Sequence, residues 1–187
     1  MGNTKMIYLT RHGQTNWNVE KRLMGLTDIP LNESGISQAQ SLGKEASQLK
    51  IDHIFSSDLL RAKETSEIIN KFINVDITLD ERLRELNYGV IEGRILKEIS
   101  SECWDQFNLY PEQLGAESFE SAYNRIKDFF RDLVKKNLSN VLIVTHGGAL
   151  RMMQYYEGNR DFFNKKDYIK NYLSSKIEHA LIIKWKD

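Results

Sequence analysis

The stretch from Lys5 to Asn18 reads K-M-I-Y-L-T-R-H-G-Q-T-N-W-N. Its apolar run from Met6 to Thr10 has the length and the residue types of a buried strand. The run stops at a cation, an imidazole and a glycine, which are Arg11, His12 and Gly13. We expect the glycine to let the backbone approach a ligand closely or to adopt a positive φ. An arginine among neutral hydrogen-bond donors suits a tetrahedral oxyanion.

A second stretch of the chain has the same pattern. Val141 to Gly148 reads V-L-I-V-T-H-G-G, so an apolar run again ends in threonine, histidine and glycine, and a helix-compatible segment follows. Ligands of open α/β sheets bind outside the carboxyl ends of the strands. The repeat therefore predicts that His12 and His146 converge on one crevice.

Length and composition describe an ordinary globular chain. Its 187 residues suffice for a single domain, which we expect to span residues 1–187. The 26 basic and 26 acidic side chains cancel, so no global field attracts nucleic acid or an anionic membrane. The single cysteine, Cys103, fits a reducing compartment, and no apolar run approaches the roughly 20 residues of a membrane span. We predict a cytoplasmic protein, and its oligomeric state stays open.

The rest of the chain alternates predicted strands and helices. Further strands are expected at Ile51 to Ser57, Val75 to Leu79 and, last, about His179 to Trp185. Helices are expected from Asn32 to Leu49, after a cap at Ser57 or Asp58, from Phe119 to Val134, and from about Ala149 to Glu157. Apolar spacing predicts that Ile36 and Phe72 face the core. This alternation indicates an α/β sandwich with a largely parallel sheet.

Arg61 stands in the first turn of a predicted helix, where a cation opposes the helix dipole. Two interpretations stay open: a surface arginine paired with Asp58, or a cation at the same level as Arg11 and the two histidines.

The loop from 80 to 93, which contains Gly89 and Gly93, carries glutamates that could supply an acid to the site. Glu81, Glu85 and Glu92 are all candidates, and we expect at least one of them to pair with a neighbouring arginine instead.

If Arg11, His12, Arg61 and His146 share a pocket, its chemistry is constrained. Two permanent cations argue against a metal ion and favour a dianion such as phosphate. They also disfavour protonated imidazole, so at least one histidine stays neutral and nucleophilic. A leaving alkoxide would need a proton from a carboxylic acid. The chain contains no G-x-S-x-G, P-loop, H-E-x-x-H or G-x-G-x-x-G motif that would indicate another chemistry.

Four ordered motifs, T-R-H-G-Q-T-N-W-N, S-S-D-L-L-R-A, L-R-E-L-N-Y-G-V-I-E-G and V-T-H-G-G, span most of the chain. With them the sequence resembles the histidine phosphatase superfamily, which includes cofactor-dependent phosphoglycerate mutases. The resemblance implies a three-layer α/β/α sandwich around a mixed, mostly parallel sheet of about six strands. It implies no metal and no cofactor.

The resemblance also implies roles for individual residues. His12 becomes the nucleophile that forms phosphohistidine, and Glu85 becomes the proton donor. The phosphate pocket is formed by Arg11, Arg61 and His146, with a hydrogen bond from Asn18. Gly25, Thr27 and Gly147 complete the expected substrate-binding set.

Some positions depart from the family pattern. Met24 stands where glutamine or serine is expected, and Ile91 replaces the tryptophan of a W-E-G motif. The segment from Glu98 to Asn124 has six acidic residues and no Lys or Arg, so it would repel a second anionic group. We therefore predict a metal-independent, histidine acid-type phosphatase for a small phosphomonoester. The alternatives are a phosphoglycerate mutase and a non-catalytic phospholigand-binding module, and the sequence does not identify the ester.

Overall fold

The computed structural model describes residues 6–171, 173, 177 and 182–186. Within these residues a five-stranded sheet has the order β3-β2-β4-β1-β5. The strands are β1 (Met6–Arg11), β2 (His53–Ser56), β3 (Asp76–Leu79), β4 (Asn140–Thr145) and β5 (Ile183–Lys186). All neighbouring pairs are parallel except β1 and β5.

The expected mixed, mostly parallel sheet is therefore confirmed, with five strands in the described part of the chain instead of about six. The predicted last strand began at about His179, and residues 178–181 lie outside the described residues.

Seven α-helices lie in the described residues. They are α1 (Asn16–Val19), α2 (Glu33–Ala46), α3 (Leu60–Ile73), α4 (Ser101–Leu109), α5 (Phe119–Leu133), α6 (Gly147–Gly158) and α7 (Lys165–Asn171). The glycine-punctuated loop after β3 forms two short 3-10 turns, Glu81–Leu83 and Gly89–Ile91. The loop is therefore not one continuous helix.

The sheet separates two apolar layers, because successive side chains of a strand point to opposite faces. Val141 and Ile143 of β4 pack into the cluster that contains the buried residues of α5 and α6. Leu142 and Val144 pack into the other cluster, with α2 and α3. The three-layer α/β/α arrangement is thus confirmed, and it places the carboxyl ends of β1 and β4 side by side.

Two predictions about buried helix faces were wrong. Ile36 is 42% exposed and Phe72 is 40% exposed. A Cβ atom added to Gly43 of α2 would overlap the ring of Phe72, so this ring covers the α2–α3 contact from outside. The sequence pattern cannot reveal this, because it depends on where the two helices meet.

The expected cap of α3 was also wrong. Leu59 is the N-cap residue and makes no side-chain hydrogen bond, while Ser57 Oγ accepts from the Leu59 N–H at 3.3 Å. Asp58 is bound instead to Arg84, from which its carboxylate accepts a 2.7 Å hydrogen bond.

Candidate active site

The two histidines follow directly on neighbouring parallel strands. Arg11 of β1 is in register with Thr145 of β4, and the His12 N–H donates to the Thr145 carbonyl at 2.9 Å. The ring centroids of His12 and His146 lie 5.1 Å apart. The structure therefore brings together the two histidines that the sequence repeat marks.

A hydrogen bond fixes the tautomer of His12. Its Nδ1 lies 2.7 Å from the Gly13 carbonyl oxygen. Because a carbonyl oxygen only accepts, we assign the proton to Nδ1 and the lone pair to Nε2. The ring is 1% exposed, so Nε2 is the nitrogen suited to nucleophilic attack inside a closed site.

Gly13 allows a close approach of two backbone segments. An added Cβ atom would lie 2.5 Å from the carbonyl oxygen of Gly35 in α2. The Gly13 N–H donates to Thr65 Oγ1 in α3 at 3.0 Å. Gly13 does not have the positive φ that we offered as one alternative, and its close contact is with α2. A close approach of its backbone to a ligand stays a prediction.

Arg61 is completely buried and does not pair with Asp58. Its Nη2 donates to the Gly25 carbonyl at 2.8 Å, and its Nη1 donates to the Thr27 carbonyl at 3.0 Å. Burial lowers the pKa of this guanidinium, although the Glu85 carboxylate opposes the effect. Of the two interpretations left open by the sequence, the structure shows the buried cation.

Glu92 holds the loop that supplies those carbonyls. Its carboxylate accepts from the Leu26 and Thr27 N–H groups at 2.9 and 3.0 Å, and from Thr27 Oγ1 at 2.8 Å. Gly25 and Thr27, which we expected to bind substrate, have described contacts to Arg61 and Glu92 instead. They support the guanidinium, and their direct contact with a substrate stays a prediction.

Of the three candidate glutamates, Glu85 is the one whose carboxylate binds the backbone N–H groups at the start of α6. One carboxylate oxygen accepts from the Gly148 N–H at 3.0 Å, and the other accepts from the Ala149 and Leu86 N–H groups at 3.1 and 2.9 Å. Glu85 is 7% exposed. Burial lowers the pKa values of both Arg11 and Arg61, and the Glu85 carboxylate opposes this lowering. Glu81, by contrast, has a side chain that is 76% exposed.

Arg11 is half-buried and His146 is fully buried. Arg11 Nη1 donates to the Ile177 carbonyl at 3.1 Å, and burial lowers the pKa of this guanidinium to about 10. His146 is fully buried, and its pKa lies well below the usual range. Burial is the largest cause, followed by the charges of Arg61, His12 and Arg11. We therefore treat His146 as a neutral imidazole.

Several buried nitrogen atoms in this group have no hydrogen-bond partner among the described residues. They are Arg11 Nε, Arg61 Nε and both ring nitrogens of His146. Buried polar atoms are nearly always satisfied, so a cluster of exceptions indicates a missing partner. Because guanidinium groups only donate, that partner must be an acceptor, and an oxyanion fits best.

Gly147 lies beside Arg11, whereas the side chain of Asn18 is hydrogen-bonded to Thr15. Asn18 Oδ1 accepts from the Thr15 N–H at 2.9 Å and from Thr15 Oγ1 at 3.0 Å, which caps α1. Its Nδ2 group is the side-chain donor, and a hydrogen bond from this group to a substrate stays a prediction. Gly147 begins α6, and an added Cβ there would lie 3.5 Å from Arg11 Cζ, an ordinary contact.

A cavity of about 440 Å³ opens beside Glu85. Its walls include three arginines and one half-buried acid that the sequence did not mark as site residues: Arg82, Arg84, Arg125 and Glu117. These residues come from separate parts of the chain, so no local motif signals their proximity. Basic residues thus line the cavity beside Glu85 even though the segment from Glu98 to Asn124 contains none.

The described residues contain neither a candidate metal-ion cluster nor a membrane-spanning helix. No three His, Cys, Asp or Glu side chains in these residues are grouped in a way that could hold a metal ion. No helix within them is long and apolar enough to cross a membrane.

Comparison with known proteins identifies relatives along most of the chain. The family model of the histidine phosphatase superfamily (branch 1) matches residues 7–167. A protein of Salmonella paratyphi A named probable phosphoglycerate mutase GpmB is 40% identical over 151 residues, covering 77% of this chain and 70% of its own.

Solved structures are similar as well. YhfR of Bacillus stearothermophilus is 31% identical with a TM-score of 0.80, covering 95% of this chain and 89% of its own. A mycobacterial glucosyl-3-phosphoglycerate phosphatase shares the fold with a TM-score of 0.83 at 22% identity, covering 96% and 90%. The chain belongs to branch 1 of the histidine phosphatase superfamily.

Proposed function

We propose that this protein is a phosphomonoester hydrolase that acts on a small phosphorylated metabolite through a phosphohistidine intermediate at His12. The observation that supports this most strongly is the cluster of unpartnered buried nitrogens on Arg11, Arg61 and His146. Membership of a superfamily of phosphatases and mutases supports phosphoryl transfer as the reaction class.

In the proposed first step, His12 Nε2 attacks the phosphorus atom while the ester P–O bond breaks. The Arg11 and Arg61 guanidinium groups and a neutral His146 hydrogen-bond the transferring oxygens. Removal of one such preorganised donor typically costs about 3–4 kcal/mol of transition-state stabilisation. Glu85, in its protonated form, gives its proton to the leaving alkoxide, which departs as an alcohol.

In the second step, water attacks the phosphohistidine. Glu85, now ionised, takes a proton from the water, and the P–N bond breaks to release inorganic phosphate and the neutral His12. No metal ion takes part in this proposed sequence. The three N–H donors around Glu85 keep its carboxylate in one position through both steps.

A phosphoglycerate mutase is the second candidate function. The 40% identity to proteins named probable phosphoglycerate mutase GpmB favours it. A mutase would return the phosphoryl group from His12 to another hydroxyl group instead of to water.

The test is release of inorganic phosphate from a panel of monoesters in the presence of a chelator. We expect turnover by the native protein and none by His12→Ala. Isomerisation of phosphoglycerate without net phosphate release would replace the hydrolase by the mutase. Phosphate binding with neither activity would indicate a non-catalytic binding module.

A further inference from the structure

We propose that the cavity beside Glu85 selects an uncharged, hydroxyl-bearing leaving group, and that Glu117 determines this specificity by neutralising Arg125. The inference rests on the proposed phosphomonoester chemistry at His12. It assigns to this site a substrate class that excludes esters with a second anionic group.

The position of the cavity identifies its occupant. Glu85 forms part of its wall, and a general acid must lie within hydrogen-bond reach of the oxygen that it protonates. The ester oxygen therefore lies near Glu85, and the remainder of the alcohol extends into the cavity. Its volume of about 440 Å³ accommodates a small metabolite.

Arg125 has the least exposed side chain of the three arginines in this wall, and its guanidinium group already donates hydrogen bonds to other residues. Nε and Nη2 bind the Glu117 carboxylate at 2.8 and 3.1 Å in a bidentate pair. Nη1 donates to the Arg82 carbonyl, and Nη2 also lies 3.3 Å from the Glu85 carbonyl. The paired side chains of Arg125 and Glu117 are only 17% and 14% exposed, so solvent screens them little.

Arg82 and Arg84 are neutralised in the same way. Arg82 binds Asp80 at 2.6 Å and Asp132 at 2.8 Å. Arg84 donates to Asp58 at 2.7 Å, and Glu81 lies 3.7 Å from it. These carboxylates raise the pKa values of both guanidinium groups.

Each of the three arginines in the wall is therefore paired with a carboxylate within the described residues. A second anion on the substrate would have to compete with these carboxylates. It would also lie close to Glu117, which disfavours it electrostatically.

The other wall groups suit hydroxyl groups on a carbon skeleton. The Glu117 carboxylate and the Ser121 hydroxyl can accept hydrogen bonds, and Leu26 and Ala116 add apolar surface. A polyol or sugar presents hydroxyl donors and C–H surface together. It needs no charged partner.

Two phosphate esters test the inference directly. Glycerol 3-phosphate and 3-phosphoglycerate differ only in carrying an alcohol or a carboxylate at the far carbon. We expect the native protein to have the higher kcat/KM for glycerol 3-phosphate. In Glu117→Gln, which keeps the shape but frees the Arg125 charge, we expect the ratio to move about tenfold toward 3-phosphoglycerate, as one charge-assisted contact predicts.

Glu120→Gln is the matched control, because it removes the same charge from an exposed position of the same acidic segment. We expect its ratio to equal that of the native protein. A native preference for 3-phosphoglycerate, or an equal shift in both variants, would overturn the inference. The native ratio alone tests it even if Glu117→Gln does not fold.

A binding measurement separates this inference from the proposed hydrolase. Calorimetric titration of His12→Asn with the same two esters reports affinity without turnover. If the native protein releases no phosphate but the variant prefers glycerol 3-phosphate, the hydrolase proposal fails and the selectivity stands. If phosphate is released but neither ester is discriminated in turnover or binding, the selectivity fails alone.

Discussion

Gly148→Ala tests the role of Glu85 through the residue that positions it. A Cβ atom at this site would overlap Glu85 Oε1 and lie 2.7 Å from Leu86 Cδ1. The carboxylate must then retreat by about 1 Å, and a misplacement of that size can lower a rate about 100-fold. Alanine is favoured over glycine within a helix by up to about 1 kcal/mol, so we expect the fold to survive.

The assay compares two leaving groups. An alkyl phosphate needs a proton on its leaving oxygen, whereas p-nitrophenyl phosphate releases a stable phenolate without one. We expect Gly148→Ala to lower kcat/KM, which reports only the steps up to formation of the phosphohistidine, about 100-fold for the best alkyl phosphate of the panel and much less for the nitrophenyl ester.

Gly147→Ala is the control for this prediction. It places an added Cβ in the same helical turn, 3.5 Å from Arg11 Cζ and not against Glu85, so any change in kcat/KM should be similar for the two esters. Equal losses for the two esters in Gly148→Ala would refute Glu85 as the proton donor. So would native rates for both.

Two further predictions concern pH and loop support. An unfolded histidine takes up a proton near pH 6.5, whereas burial keeps His146 neutral, so the unfolded state binds more protons below that pH. The free energy of unfolding should therefore decrease as the pH is lowered below about 6.5, by at most ~1.4 kcal/mol per pH unit for this residue. Denaturant titrations of His146→Asn should show a smaller decrease over the same pH range. Glu92→Gln should lower the free energy of unfolding by about 1–3 kcal/mol, because an amide nitrogen cannot accept the hydrogen bonds from Thr27. It should also raise KM, because the loop that holds Arg61 loosens. Unchanged KM and melting temperature would show that Glu92 does not support this loop.

Local patterns were sufficient to predict the strands that carry the histidines. An apolar run followed by a polar cluster records both the burial of a strand and the point where it leaves the sheet. Because β1 and β4 are parallel neighbours, the two clusters meet at the same edge. The alternation of strands and helices likewise predicted the three layers.

Contacts between distant segments could not be predicted in this way. The pair of Arg125 with Glu117, and the placement of Arg82 beside it, depend on how α5 packs against the loop after β3. The base-free segment before Arg125 led us to predict repulsion of a second anionic group. The structure adds three arginines to the cavity wall, and each is paired with a carboxylate. Charge counted along a sequence therefore missed the cations that folding brings to this cavity, and the predicted repulsion of a second anion stays a proposal.

The pairing of β1 has a consequence for the order of events during folding. Met6 is paired with Asn140 on one side and with Lys186 on the other, so both neighbours of this early strand are synthesised much later. Contacts of such long sequence separation carry a large loop-closure cost and form slowly. Ribosomal synthesis must therefore deliver β4 and β5 before β1 is enclosed on both sides. Until then, β1, which ends just before His12, has exposed edges, and aggregation competes with completion of the site.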